Sequence, residues 1–208
     1  MKILALAGLG MFALVSAHAQ EFSHFTGSIG AGFTQTVGTT GKYLDNGWNL
    51  QAGVGFNFSP WVGVMVDAAY NQMGINSTTL GSLGFPGGAV DAFSATLDPI
   101  VHLTPHRHFD LYAIGGGGYF HYTQEFSTPT VVGFTGYNPF FGFYSAAVPV
   151  DQVLSSYTIN KPGIDAGMGI AFGTRWHGKF FAEARYNRVF LGGSNHADWV
   201  PVTFGFRF

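Results

Sequence analysis

Alternation with a period of two residues runs through this chain, and what constrains it most is the second face of that alternation. In residues 25–34, Phe25, Gly27, Ile29, Ala31 and Phe33 alternate with Thr26, Ser28, Gly30, Gly32 and Thr34. In residues 49–58, Leu50, Ala52, Val54, Phe56 and Phe58 alternate with Asn49, Gln51, Gly53, Gly55 and Asn57. Period two is the mark of strands with two unlike faces. A water-soluble sandwich or barrel turns its apolar face inward and shows Lys, Glu and Asp to solvent. Here the second face is Gly, Ala, Ser, Thr and Asn, and only 10% of all residues are charged. Small polar residues suit the inside of a narrow barrel. The apolar face must then point to lipid, where a charge at the midplane costs roughly 2–4 kcal/mol.

Eight such segments can be read: residues 25–34, 49–58, 62–71, 93–103, 110–122, 164–173, 180–187 and 200–208. Each is near the length a tilted membrane strand needs. The fifth is glycine-rich at Gly115–Gly118, so its facing is not fixed by pattern. Asp67, Asp98, Asp110, Asp165, Glu183, Arg185 and Arg207 all fall on the non-lipid parity or at a strand end. The connections alternate between tight (59–60, 104–108, 174–178) and longer (37–46, 73–90, 123–162, 191–197). In outer-membrane barrels short turns are periplasmic and long loops external. The expected fold is therefore all-β, an eight-stranded antiparallel up-and-down transmembrane β-barrel with both termini in the periplasm.

The N-terminus supplies an export route. Met1-Lys2 is a short positive region, residues 3–15 are largely apolar, and Ala17-His18-Ala19 is a small-residue cleavage signal. Residues 1–19 are expected to be a signal peptide and residues 20–208 the barrel domain. The absence of cysteine excludes a disulfide scaffold, a thiolate metal site and a lipid-modified N-terminal Cys. Nine Lys and Arg against eleven Asp and Glu argue against a nucleic-acid binder.

The last strand, Val200-Pro201-Val202-Thr203-Phe204-Gly205-Phe206-Arg207-Phe208, ends on Phe. With that terminus and eight alternating segments, the mature chain resembles the small eight-stranded outer-membrane barrels of the OmpA-barrel and OmpX type. The resemblance implies a Gram-negative cell envelope and surroundings of outer-membrane lipid and lipopolysaccharide. It also implies that Phe204, Phe206 and Phe208 form the signal read by the barrel-assembly machinery. Nothing follows Phe208 in the sequence, so the cell-wall tethering of longer OmpA proteins is not carried over.

Three regions are candidates for function. Asp67, Asp98, Glu183 and Arg185 should meet in the lumen, Arg185 reaching across a barrel too narrow for an open pore. Such a network serves either as a static plug or as a gate of the kind suggested for OmpA-type barrels. Asp110 and Arg207 are expected at the periplasmic rim, satisfied by solvent. The external loop, residues 123–162, is the second region. Its Phe134, Tyr137, Phe140, Phe141, Phe143 and Tyr144, with Phe126 and Tyr157, mark an interaction surface or a lid over the barrel mouth. Residues 131–134 and 140–148 are able to extend the barrel as a hairpin. The third is Ser194, Asn195, His196 and Asp198, reminiscent of a surface lipid A hydrolase but placed in a Gly-rich turn that itself explains them.

No catalytic residue, metal site or cofactor is expected. The His106/His108 pair lacks a third ligand nearby, and Gly115–Gly118 lacks the Lys-Ser/Thr and helix of a phosphate loop. Arg188, on the lipid-facing parity, is expected to reach up toward lipid phosphates. Trp48, Tyr70 and Tyr186 should form an outer aromatic girdle, with Phe58, Phe180 and Phe208 forming an inner one. The expected function is a non-enzymatic outer-membrane barrel that stabilises the membrane or acts through its long loop, with room for an extracellular partner. A narrow gated channel is the alternative, and a lipid A-modifying hydrolase a more distant one.

Overall fold

The computed structural model describes residues 23–105, 108–174 and 178–208. The expected signal peptide, His106 and part of the third tight turn lie outside these residues. Eight strands follow one another: β1 (Phe25–Thr36), β2 (Leu44–Asn57), β3 (Val62–Ile75), β4 (Gly87–His102), β5 (Phe109–Asn138), β6 (Gly142–Gly173), β7 (Lys179–Gly192) and β8 (Asn195–Arg207). Each pairs antiparallel with its sequence neighbours, and β1 pairs with β8, so the sheet closes into a barrel. Closure leaves no sheet edge within the ring, which satisfies the backbone without water, as a bilayer requires. The chain is an eight-stranded antiparallel β-barrel, and its outer wall carries exposed Ile29, Leu50, Val54, Val66, Leu97, Met168 and Phe204.

Three connections differ from the sequence reading. The span 73–90 holds the short helix α1 (Ser77–Leu83), and β4 starts at Gly87 rather than at residue 93. Asn76 caps α1 by accepting from the Thr79 N–H, and Gly84 ends it at φ +76°. A seven-residue helix is too short to show a 3.6-residue period. The β7–β8 connection is a tight turn at Gly193-Ser194, because Gly192 and Gly193 take φ +122° and +60°, where a side chain is strained. The largest difference is residues 123–162, where the hairpin read at 131–134 and 140–148 takes in almost the whole connection. There β5 and β6 stay paired from Thr123↔Thr158 to Asn138↔Gly142, with a single irregularity at Phe126/Ser127, and beyond Ser127, the last β5 residue that pairs with β4, they continue as a two-stranded ribbon.

The lumen is filled in three layers, not with small polar residues throughout. Near the end from which the β5–β6 ribbon extends, Phe120, Trp199, Tyr122, Met73 and Val189 pack together, with Trp199 edge-on to Phe120 (5.7 Å between ring centroids) and to Tyr122 (5.6 Å). Near the opposite end, where β1 begins and β8 ends, Met65, Ile100, Tyr112, Ile114 and Phe181 form a second apolar layer. Between them lies a buried polar layer that includes Asn49, Gln51, Asp67, Asn71, Thr96, Asp98, Asp165, Glu183, Arg185 and Thr203. Burial along β5 settles its facing: Asp110, Tyr112, Ile114, Phe120 and Tyr122 point inward, which puts Gly116 and Gly118 on the inner wall. A methyl group on Gly116 would overlap the Leu97 carbonyl oxygen and crowd the Asp98 carboxylate. Glycine there lets β4 and β5 approach closely and leaves room for Asp98.

Candidate functional site

Inward parity on β3, β4, β6 and β7 aims four acids at one level of the lumen, and Arg185 on β7 is the cation that meets them. Its Nη2 lies 2.8 Å from Asp67 Oδ2. Its Nη1 lies 2.8 Å from Asp98 Oδ2 and 3.3 Å from Asp165 Oδ2. Its Nε donates to Glu183 Oε1, two residues away on the same strand. The guanidinium thus ties four strands together across the barrel, using the several donors of its planar fork. Thr96 donates to Asp98 Oδ2 at 2.7 Å, and Gln51 bridges Asp67 Oδ1 (3.4 Å) and Glu183 Oε1 (3.3 Å). Asn49, Asn71, Thr34 and Thr203 continue the network toward β1 and β8.

The four residues singled out from the sequence are brought together; the partners that complete the site were not among them. Asp165 joins through Arg185. Tyr112 donates to Glu183 Oε2 at 2.9 Å. Arg207 does not sit in solvent at the rim: it is buried, 3.7 Å from Glu183 Oε2, with its guanidinium 4.4 Å from the centroid of the Tyr112 ring and 5.3 Å from that of Phe181. Asp110 is likewise buried, held by His102 Nδ1 at 2.7 Å and Lys179 Nζ at 3.5 Å. Both stand at the ends of their ladders, Arg207 paired with Ser28 and Lys179 and Asp110 with Ala171, yet both side chains turn into the lumen. A cavity of about 20 Å³ beside Arg185, lined by Asn49, Asp67, Asn71, Asp165 and Thr203, is room for a single water molecule. A hydrated ion does not fit.

At the end of the barrel from which the ribbon extends, Arg188 and Asp198 stand opposite each other on β7 and β8. Arg188 does not reach for lipid. Its Nε and Nη2 grip the Asp198 carboxylate at 2.9 and 3.1 Å, and Nη2 also contacts the Tyr186 hydroxyl at 2.7 Å. His196 Nε2 lies 3.2 Å from Asp198 Oδ2, while its Nδ1 faces the backbone oxygen of Ser194 at 3.2 Å. Both ring nitrogens are thereby engaged and the imidazole meets the Ser194 backbone, not its hydroxyl. A nucleophile-base relay is not assembled there. Among the described residues, no group of three or more His, Asp or Glu has an arrangement suited to a metal ion.

The outer ribbon carries the aromatic residues read from the sequence. Residues 126–150 contain no Asp, Glu, Lys, Arg or His. Phe140 is 94% exposed and Phe143 80%, with Tyr137, Phe141, Phe134 and Tyr144 also exposed. Tyr137 packs on Phe143 (5.1 Å), Phe134 on Tyr144 (6.1 Å) and Phe141 on Tyr144 (5.7 Å). The ribbon therefore packs against itself and does not lie down into the barrel mouth, which Trp199 and Phe120 already fill. At the other end, Phe208 closes the β1–β8 seam by exchanging backbone hydrogen bonds with Gly27, at 2.8 and 2.9 Å. Its ring rests where a Gly27 side chain would be. Phe204 is exposed on the outer wall, and Phe206 pairs edge-on with Phe180 at 5.3 Å.

No protein-family model matches the chain, and no curated protein matches it in sequence. Solved structures do match in shape. Neisserial surface protein A (NspA) aligns with a TM-score of 0.55 at 12% identity, covering 89% of this chain and 96% of that one. Ail, the attachment invasion locus protein of Yersinia pestis, aligns with a TM-score of 0.49 at 17% identity, covering 90% and 100%. The outer membrane protein OprG from Pseudomonas aeruginosa aligns at 0.48 and 13% identity, covering 88% and 95%. At these identities the likeness is one of fold, and NspA carries it. The chain has the fold of the small eight-stranded outer-membrane β-barrels, as NspA does.

Proposed function

We propose that this protein is a non-enzymatic outer-membrane barrel whose lumen is a permanent brace and whose work is done outside, by the β5–β6 ribbon. Both termini then face the periplasm, the ribbon faces the exterior, and lipopolysaccharide surrounds the outer rim. One observation carries the reading: a lumen closed by two apolar layers and an Arg185-centred ion network stands beneath an external ribbon with a large uncharged aromatic surface. A sealed barrel transports nothing. An exposed aromatic surface of this size marks a contact site. The test is to remove residues 127–154 and join Phe126 to Ser155, which already pair in register, through an Asn-Gly turn. Cells carrying the shortened barrel should lose attachment to surfaces and to other cells while the barrel still folds. Attachment equal to that of the full-length protein would overturn the reading.

A second reading, a narrow gated channel, draws on one feature. The middle of the lumen is charged, and ion pairs can exchange partners where apolar packing cannot. It requires both apolar layers to move as well, and it predicts conductance that changes when Arg185 is replaced. Recordings silent for wild type and Arg185→Ala alike would dismiss it.

A further inference from the structure

The ribbon's tip differs from an ordinary protein-docking face in two respects. Its aromatic residues are not confined to one side. The directly paired Tyr137 and Phe143 share one face, and Tyr144, opposite Gly136, stands on the other with Phe134. Phe140 and Phe141 project from the turn between them. The tip is thus apolar all round, which suits an apolar medium better than a one-sided groove. The tip is also poor in unpaired backbone donors. Pro139 has no N–H, the Phe140 N–H donates to Asn138 Oδ1 at 2.9 Å, and Asn138 pairs with Gly142.

Charge and reach narrow the occupant further. From Phe126 to Val150 the chain is uncharged, so the tip neither attracts nor repels a surface of zero net charge, and nothing on it is suited to the acidic sugars and phosphates of lipopolysaccharide. Beyond Ser127, the last β5 residue that also pairs with β4, eleven paired rungs lead to the turn. At about 3.4 Å per residue the tip stands roughly 35 Å out along the ribbon. Resting on the proposal that the ribbon is the working part, we infer that its tip inserts into a facing zwitterionic phospholipid bilayer. Phe140, Phe141 and Phe143 enter the interfacial layer, and Tyr137 and Tyr144 stay at headgroup level. Aromatic rings are favoured at that depth. Insertion is shallow, because the free strand edges behind the turn must keep their hydrogen bonds to water.

The experiment uses the mature protein in phosphatidylcholine nanodiscs, mixed with separate vesicles of brominated phosphatidylcholine. A Phe140→Trp variant should be quenched by the vesicles, over the background of the four native tryptophans, and the discs should float with the vesicles. A Phe140→Ser/Phe143→Ser variant, altered only at exposed positions, should bind vesicles at least tenfold more weakly. Binding should hold between low and high salt and gain nothing from anionic lipid. Unquenched emission from the Phe140→Trp variant with no flotation would overturn the inference, as would emission already blue-shifted in discs alone, which would place the tip on its own membrane. Discs that pair with one another without vesicles, and cease to do so in the serine variant, would also overturn it and make the occupant a second copy. Loss of cell attachment on removing residues 127–154, with no vesicle binding by the intact protein, would leave the broader reading standing and remove only the lipid. Unchanged attachment would remove the broader reading.

Discussion

Replacing Arg185 with alanine tests whether the lumen network holds the barrel together. The guanidinium contacts Asp67, Asp98, Asp165 and Glu183, all nearly inaccessible to solvent. Arg207 is 3.7 Å from Glu183, so the other three acids keep no cation within ion-pair distance among the described residues. Removing one partner of a buried pair costs about 3–5 kcal/mol. Four pairs do not multiply that figure, because one substitution removes a shared cation and the freed acids can rearrange. A loss of about 4 kcal/mol is therefore expected, with urea sensitivity near 2 kcal/mol per M lowering the unfolding midpoint by about 2 M. Urea unfolding of the barrel refolded in lipid vesicles, followed by the heat-dependent gel shift and by tryptophan fluorescence, reads it directly. Neutralising the acids together (Asp67→Asn, Asp98→Asn, Asp165→Asn and Glu183→Gln) in the Arg185→Ala background should recover much of the loss. An Arg185→Ala barrel within about 0.5 kcal/mol of wild type would refute the bracing role.

Gly116→Ala should destabilise by about 2 kcal/mol or more, since the new methyl overlaps the Leu97 carbonyl oxygen. Gly117→Ala, whose methyl would come no nearer than 3.2 Å to the Gly163 oxygen, should cost under about 1 kcal/mol, and equal costs in urea unfolding would contradict the assigned facing of β5. Trp199→Ala empties the centre of the apolar layer at the ribbon end and should cost about 3–5 kcal/mol; a loss below about 1 kcal/mol would mean the layer bears no load. Phe208→Ala should leave refolding into lipid vesicles nearly intact, because the Gly27 hydrogen bonds are made by backbone, yet leave unassembled protein in the periplasm. Normal surface display in cells would show that the terminal Phe is not an assembly signal.

The strands of the barrel wall were legible in the sequence because its outer face and its lumen carry different chemistry on alternate residues. Ile29, Val54, Val66 and Phe204 face outward as their parity requires, and Asp67, Asp98, Glu183 and Arg185 face inward. Past the rim that contrast vanishes, since both faces of the ribbon meet the same surroundings. Residues 123–162 therefore read as loop with at most a short hairpin at 131–134 and 140–148, although they are paired strand throughout most of their length. The apolar lumen layers were hidden for a related reason. Phe120, Tyr122, Val189 and Trp199 stand at strand ends on inward parity, and alternation alone assigns apolar residues to lipid. Asp165 was visible as an inward residue, but its meeting with Arg185 depends on the β6–β7 register, which pairs Gly167 with Arg185 and sets Asp165 one step above. Register is also what pairs Arg188 with Asp198 rather than with lipid. Parity can be read from one strand, whereas partners need two.

The measurement that bears most directly on a sealed barrel working through its outer ribbon is planar-bilayer conductance of the refolded wild-type protein across a wide range of voltage. Two apolar layers and a cavity of about 20 Å³ between them predict no openings above the leak of the bare membrane. Discrete, reproducible openings would contradict the account and make the Arg185 network a gate.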